Sequence, residues 1–135
     1  MMLQDTEKRY RILLAEDDPD DQKIVTDALA AAIPNAHLTM VENGKEAINY
    51  LKNAESLPDI FITDIQMPQM TGLECLAQIR LNASLSHLPV VILSTSKEAD
   101  DILKSKEQGA ALYISKPLMF QDWVAEMKQV GKLLA

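Results

Sequence analysis

Five residues that carry oxygen or ammonium groups stand where short apolar runs end. Glu16 and Asp17 follow one run, Asp64 and Ser94 close two others, and Lys116 follows a fourth. Carboxylates held close together repel one another unless a cation neutralises them, and oxygen ligands without His or Cys favour Mg²⁺, Mn²⁺ or Ca²⁺ over zinc. Mg²⁺ typically joins carboxylates to a phosphate oxygen, while a hydroxyl and an ammonium bind the other phosphate oxygens. The five residues favour Mg²⁺-assisted transfer of a phosphoryl group to an aspartate.

Three of these residues also have an ordinary structural interpretation. Asp64 can begin a turn, Ser94 can cap a helix, and Lys116 can be solvated. The pattern as a whole favours a shared site, because ligands of an open α/β sheet bind beyond the carboxyl ends of its strands. Whether these residues share one site therefore depends on the strands and helices that carry them.

The apolar runs predict a parallel sheet. Four runs rich in branched residues, 12–15, 60–63, 90–93 and 112–114, are predicted to be strands buried on both faces, and the half-polar run from His37 to Val41 suits an edge strand. Segments with helical spacing alternate with them. The predicted elements are β1 10–15, α1 20–32, β2 37–41, α2 44–53, β3 60–64, α3 72–81, β4 90–94, α4 97–108, β5 112–115 and α5 119–134.

Five alternating strand and helix units predict a doubly wound α/β fold, flavodoxin-like, with strand order 2-1-3-4-5 and helices on both faces. Helix α4 is predicted to be marginal, because Ile102 and Leu103 are nearly its only apolar residues. The closing helix α5 is predicted to place one apolar face on the sheet, made of Phe120, Trp123, Val124, Met127 and Leu134.

Length, composition and net charge limit the class of protein to which this chain can belong. The 135 residues, 47% of them apolar, suit a single domain over 1–135, and no apolar run is long enough for a membrane helix. The polar start of the chain does not suit a signal peptide, so we expect a cytoplasmic protein. A net charge of −7 argues against direct nucleic-acid binding. The single cysteine, Cys75, is interpreted as a packing residue.

Three segments resemble the response-regulator receivers of two-component signalling. They are ILLAEDD at 12–18, DIQMPQMTGLE at 64–74 and YISKP at 113–117, and the likeness spans nearly the whole chain. The most specific element is the strand-end aspartate followed by Met-Pro and then Met-x-Gly. The resemblance implies a signalling domain rather than an enzyme in the usual sense.

The resemblance also assigns roles by position. It makes Asp64 the phospho-acceptor and Asp17 a direct Mg²⁺ ligand, with Mn²⁺ as a substitute ion. The backbone carbonyl of Gln66 would complete the protein ligands, and Glu16 would act on the metal mainly through water. Lys116 is the lysine of the pattern, and the resemblance implies a cis bond between it and the following proline.

Further roles concern the response to phosphorylation. Ser94 matches the hydroxyl that turns toward the phosphoryl group, with Thr95 as the neighbouring alternative in a place where many relatives have alanine. Tyr113 matches the aromatic residue that moves inward with it. Gln66 and Ser96 match the positions that tune the phosphoryl lifetime.

The implied partners are proteins. A histidine kinase or phosphotransfer protein would supply the phosphoryl group, and the α4-β5-α5 face would change its contact with a downstream protein target or form a homodimer. If these 135 residues are the natural protein, we expect no DNA-binding or enzymatic output domain after α5, and output is then expected to be a protein contact. The Asp20-Asp21 pair, the 81–89 connection and the 94–96 segment look like single-domain receivers paired with phytochrome-type or hybrid histidine kinases.

Three other functions compete with this one. A haloacid-dehalogenase-type phosphatase would need a second acid two residues after its nucleophile, where Gln66 stands. A flavodoxin-like electron carrier would need a Ser/Thr/Gly-rich phosphate loop after β1, where Glu16 to Asp21 would repel phosphate. A receiver-like scaffold that works without phosphorylation remains the alternative within the same fold.

Overall fold

The computed structural model describes residues 9–95 and 98–134. Five parallel strands form one sheet in the order β2-β1-β3-β4-β5, which confirms the predicted fold. The elements are β1 Tyr10–Ala15, α1 Pro19–Ala32, β2 Ala36–Val41, α2 Gly44–Asn53, β3 Ile60–Asp64, α3 Gly72–Leu81, β4 Val90–Ser94, α4 Ala99–Glu107, β5 Leu112–Ser115 and α5 Phe120–Gly131, followed by a 3₁₀ turn at Lys132–Leu134.

The position of a strand in the sheet decides how deeply it is buried. Strands β3 and β4 lie inside the sheet and are buried at every residue. Strand β5 was predicted to be buried on both faces, but only Ile114 of its four residues is buried. The prediction was wrong because β5 is an edge strand with one neighbour, like β2 on the other side.

Side chains alternate along the strands and build a core on each face of the sheet. One core contains Leu13, Phe61 and Ile92 from the strands and packs against α2 and α3. The other contains Ile12, Ile62 and Val91, which adjoin these residues in sequence, and packs against α1 and α5. The two cores fix the sheet, so the loops at the carboxyl ends of the strands are held on a rigid edge.

Polar caps start the three helices that follow β1, β2 and β3. The side chain of Asp18 accepts a hydrogen bond from the amide of Asp20 at 2.9 Å at the start of α1. Asn43 caps α2 in the same way, and Thr71 and Glu74 form a reciprocal capping box on α3. These caps end the short loops after β1 and β2 and the longer loop between Asp64 and Gly72.

Helices α4 and α5 differ in how firmly they pack. Among the residues of α4 only Ser105 is buried, and Leu103 is 55% exposed, as its sequence predicted. Helix α5 buries Trp123 and Met127. Phe120 was predicted to share that buried face, but it is 46% exposed because it is the first residue of the helix and lies beyond the edge of the core.

Two further predictions have clear outcomes. Helix α5 was predicted to continue to residue 134, but it ends at Gly131 and the chain tightens into the 3₁₀ turn, so Leu134 lies outside the helix. The Lys116–Pro117 bond is trans, whereas the resemblance implied cis. Trans is the lower-energy form of such bonds by about 0.5–1 kcal/mol, and the local backbone does not override that preference. No helix in the described ranges is long and apolar enough to cross a bilayer.

Candidate functional site

Three carboxylates meet at the carboxyl edge of the sheet. Strands β1 and β3 are neighbours, with Ala15 opposite Thr63, so the residues that follow them lie side by side. One oxygen from each of Glu16, Asp17 and Asp64 lies within 4.8 Å of the others. Glu16 and Asp64 are buried and Asp17 is exposed, so the cluster opens to solvent on the side of Asp17.

Lys116 reaches into this cluster from the end of β5. Its Nζ lies 2.9 Å from Glu16 Oε1, 2.7 Å from Asp21 Oδ2 and 3.0 Å from Asp64 Oδ2. Its side chain is only 7% exposed. The backbone amide of Lys116 donates to the carbonyl of Ser94 at 2.8 Å, which ties the ends of β4 and β5 together.

The charges at the site perturb one another. The pKa of Glu16 is raised to about 7 as the net result of opposing effects: burial raises it most, the hydrogen bond from Lys116 lowers it, and the nearby charge of Asp64 raises it. Burial would lower the pKa of Lys116, but its hydrogen bonds to Asp21, Glu16 and Asp64 outweigh burial and raise that pKa above its ordinary value. Lys116 is therefore a permanent cation at neutral pH, held among more negative charge than it can neutralise.

Glu16 is fixed on several sides. Its Oε1 accepts from Lys116, and its Oε2 accepts from the amide of Asp18 at 3.2 Å. Gln22, one turn into α1, donates to the carbonyl of Glu16 at 2.7 Å. Glu16 is fully buried, so these bonds compensate its desolvation and hold its orientation.

The loop after Asp64 is shaped by glycine at residue 72. The amide of Gly72 donates to the carbonyl of Ile65 at 2.8 Å, and a Cβ at this position would collide with the carbonyl oxygen of Asp64. Gln69 adopts a positive φ of 70°, which turns the chain back toward α3. Met67 is buried beneath the loop. The Met-Pro-x-Met-x-Gly pattern thus has a structural cause, because it closes a tight loop directly behind the aspartate.

The remaining predicted residues lie around the cluster. Ser94 ends β4, is 2% exposed and pairs in register with Ser115 of β5. Tyr113 is partly buried and packs against the core on the α2 and α3 side. Gln66 and Thr95 are exposed in the loops after β3 and β4. Ser96 lies outside the described residues.

Asp21 is the site residue that the sequence analysis missed. It lies in the first turn of α1 and makes the shortest of the three bonds to Lys116. The acidic run from Glu16 to Asp21 showed that carboxylates gather here, but it did not show which of them faces the lysine. Pro19 could have indicated the role of Asp21. Proline favours the first position of a helix, so it marks where α1 begins and hence on which side of the helix Asp21 lies.

The fold and the site together define a flavodoxin-like receiver, with a carboxylate cluster and a lysine at the carboxyl edge of the sheet. The sequence profile of the response regulator receiver domain matches residues 12–128. The chain belongs to this family.

Individual relatives agree with that assignment. The two-component response regulator ARR17 of Arabidopsis thaliana is 33% identical over 130 residues, which cover 89% of this chain and 84% of ARR17. Response regulator Rcp1 of Synechocystis is 30% identical over 116 residues, covering 82% of this chain and 79% of Rcp1. The chain spans about half, 51%, of the rice two-component response regulator ORR1, to which it is 33% identical.

Solved structures give the same result. The phosphorylated cyanobacterial phytochrome response regulator RcpA is similar with a TM-score of 0.85 and 30% identity, covering 94% of each chain. The Mn²⁺-bound form of response regulator Rcp1 is similar with a TM-score of 0.81 and 27% identity, covering 91% of this chain and 92% of that one.

Proposed function

We propose that this chain is the phospho-accepting component of a two-component phosphorelay, with Asp64 as the acceptor. The observation that carries the proposal is the setting of Asp64, whose Oδ2 lies 3.0 Å from Lys116 Nζ and whose carboxylate adjoins those of Glu16 and Asp17. The likeness to the phosphorylated RcpA supports a phosphoryl group in this fold. A histidine kinase or phosphotransfer protein would be the donor, in the cytoplasm.

The donor set at the site fits a hard divalent cation. Glu16, Asp17 and Asp64 offer only carboxylate oxygens, and Lys116 neutralises one unit of their charge. Asp17 and Asp64 would bind Mg²⁺ directly, with the backbone carbonyl of Gln66. Both oxygens of Glu16 already accept hydrogen bonds, which supports an indirect role through water. Mn²⁺ would substitute, as the Mn²⁺-bound form of Rcp1 suggests. The ion would neutralise charge on the transferred group.

The transfer needs little covalent chemistry from the protein. A carboxylate oxygen of Asp64 attacks the phosphorus of a phosphohistidine, a P–O bond forms as the P–N bond breaks, and the leaving imidazole takes up a proton. Lys116 and Ser94 would bind oxygens of the phosphoryl group through an ammonium and a hydroxyl. Water later hydrolyses the aspartyl phosphate, and Gln66 and Ser96 would tune that rate.

Phosphorylation would change the α4-β5-α5 face. Ser94 would turn toward the phosphoryl group and Tyr113 would move inward behind it, because the two residues lie on neighbouring strands. Helix α4 buries only Ser105, which supports its role as the element that shifts. The output would be a protein contact rather than nucleic-acid binding. A phosphorylation-favoured homodimer through this face is tested by sedimentation with and without a phosphoryl mimic, and a monomer in both conditions excludes it.

Intact mass after incubation with acetyl phosphate and Mg²⁺ tests the proposed function. We expect one phosphoryl adduct that is lost in Asp64→Asn and in EDTA. Asp122→Asn, which removes an exposed carboxylate from the first turn of α5, is the matched control and should retain the adduct.

The opposite result is equally informative. A folded wild-type protein that takes no phosphoryl group from acetyl phosphate or from phosphorylated kinase would favour the scaffold that works without phosphorylation. An adduct that persists in Asp64→Asn would move the acceptor to another residue.

A further inference from the structure

The three ammonium hydrogens of Lys116 are all engaged in the structure described. An ammonium group has three N–H donors, and Nζ has three carboxylate partners, Glu16, Asp21 and Asp64. Lys116 therefore has no donor left for a phosphoryl oxygen. If Asp64 is phosphorylated, as the proposed function holds, one of these bonds has to be exchanged.

The three bonds differ in how easily they are given up. Glu16 has 0% side-chain exposure, so breaking its bond would leave a buried carboxylate without its cation. Asp64 carries the incoming phosphoryl group and stays next to the lysine. Asp21 is 27% exposed and lies in the first turn of α1, where water and the positive end of the helix dipole stabilise a carboxylate. The bond to Asp21 is the one that can be released at least loss.

We propose that Asp21 is a positioning residue that holds Lys116 before phosphorylation and releases it to a phosphoryl oxygen afterwards. This inference rests on the proposed function. The Lys116–Asp21 bond then exists only in the unphosphorylated state and favours that state. Removing the carboxylate of Asp21 shifts the balance toward the phosphorylated state, because the lysine no longer gives up a partner.

The test is the binding of beryllofluoride, a phosphoryl mimic, in the presence of Mg²⁺, followed by ¹⁹F NMR. We expect Asp21→Asn to bind it roughly three- to fivefold more tightly than the wild type, which corresponds to the upper strength of a solvent-accessible ion pair. Asp21→Glu retains the carboxylate and should restore affinity close to that of the wild type.

The variant Asp20→Asn distinguishes the loss of the bond to Lys116 from the general effect of removing a negative charge. Asp20 lies in the same turn of α1, but it is not among the three carboxylates that hold Lys116 in the described part of the chain. Asp20→Asn removes the same charge from the same helix end and should change affinity by less than roughly twofold, the size of a screened surface charge effect.

The fluorine spectrum adds a readout that affinity alone lacks. If Lys116 leaves Asp21 in the bound state, the ¹⁹F shifts of bound beryllofluoride are the same in wild type and Asp21→Asn. Altered shifts with weaker binding would mean that Asp21 stays on Lys116 throughout, and would overturn the inference. So would equal affinities in Asp21→Asn and Asp20→Asn. A wild-type protein that binds no beryllofluoride would overturn the proposed function and this inference with it.

Discussion

Gly72 packs against the backbone of the proposed acceptor. A methyl group at residue 72 would collide with the carbonyl of Asp64, which is backbone and cannot rotate away. Gly72→Ala is therefore expected to lower the free energy of unfolding by about 2 kcal/mol. It should also slow phosphoryl uptake on the order of tenfold, because Asp64 is displaced from Lys116. Urea denaturation and intact mass with acetyl phosphate measure the two effects.

Gly131 provides the control for that prediction. Its added Cβ would lie 3.4 Å from two carbons of the Ile33 side chain, which is ordinary contact with a flexible group. Gly131→Ala should change the free energy of unfolding by less than about 0.5 kcal/mol and leave phosphoryl uptake unchanged. Equal losses in both variants would show that Gly72 has no special relation to Asp64.

The buried thiol of Cys75 is expected to make the free energy of unfolding depend on pH. Burial raises the pKa of its thiol to about 12, from 9.0 for an ordinary thiol. The unfolded chain loses this proton above pH 9 while the folded chain keeps it, so stability falls as pH rises from 9 toward 12.

The effect is measured as a difference between two proteins. Between pH 8 and pH 10 the wild type should lose about 1.4 kcal/mol more free energy of unfolding than Cys75→Ala, because only the wild type carries the thiol. Parallel pH profiles from urea denaturation would contradict the prediction. At pH 8 the native thiol should also resist iodoacetamide until the protein is unfolded.

Single residues also mark the limit of what the sequence predicts. The gathering of Glu16, Asp64 and Lys116 at one edge followed from strand ends alone, since parallel strands finish on the same side of the sheet. The bond from Asp21 to Lys116 depends on the rotation of α1 about its axis, which an acidic run does not encode. The trans bond before Pro117 follows the general preference of X–Pro bonds, which the Lys-Pro pair in the sequence does not override.

At the scale of elements, Arg80 joins three segments of the chain. Its guanidinium donates to the carbonyls of Ser86 and Leu88 at 3.1 and 2.8 Å, and to that of Gly109 at 2.7 Å. These carbonyls belong to the α3–β4 connection and to the turn that ends α4. Because α4 buries only Ser105, this clamp is a main attachment of its carboxyl end.

Arg80→Ala is therefore expected to lower the free energy of unfolding by about 2 kcal/mol, since the partly buried carbonyls of Ser86 and Leu88 lose a charged donor. Amide hydrogen exchange should accelerate in 99–107 and remain unchanged in α1. Arg80→Lys retains the charge but lacks the planar fork that reaches both segments, so it should behave like Arg80→Ala. Full stability in Arg80→Lys would show that charge alone matters.

Element boundaries followed the sequence where caps or apolar runs were strong. The starts of α2 and α3 were predicted correctly because Asn43 and Thr71 have the side chains that end a loop and begin a helix. The exposed Phe120 and the partial burial of β5 were not predicted. Both depend on where the sheet ends in the folded protein, and the apolar character of a residue does not indicate that position.

At the scale of the whole molecule, the net charge of −7 is concentrated partly at one edge of the sheet. Under the proposed function Mg²⁺ binds the folded protein there and not the unfolded chain, so it should raise stability. At ten times its Kd we expect a gain of about 1.4 kcal/mol, or a Tm about 5 °C higher. Asp17→Asn should remove most of this shift, and KCl at equal ionic strength should not reproduce it. An equal shift in Asp17→Asn would place the ion elsewhere.

The overall architecture was the most predictable level. Alternation of apolar runs and helical segments specified the sheet, and right-handed crossovers limited its strand order to few choices. Which apolar residue enters which of the two cores followed from the alternation of strand side chains. This information is distributed over many residues, so single errors such as Phe120 did not change the fold.

The shallow packing of α4 has a consequence for evolution. Eight of its nine residues, Ala99–Glu107 apart from Ser105, contribute little to the core, so most substitutions there leave folding intact. The residues that gather around Asp64 are constrained by buried charges and close contacts. A gene duplicate can therefore acquire a new recognition surface on α4 while keeping the same chemistry, which lets a lineage diversify its signalling routes without rebuilding the domain.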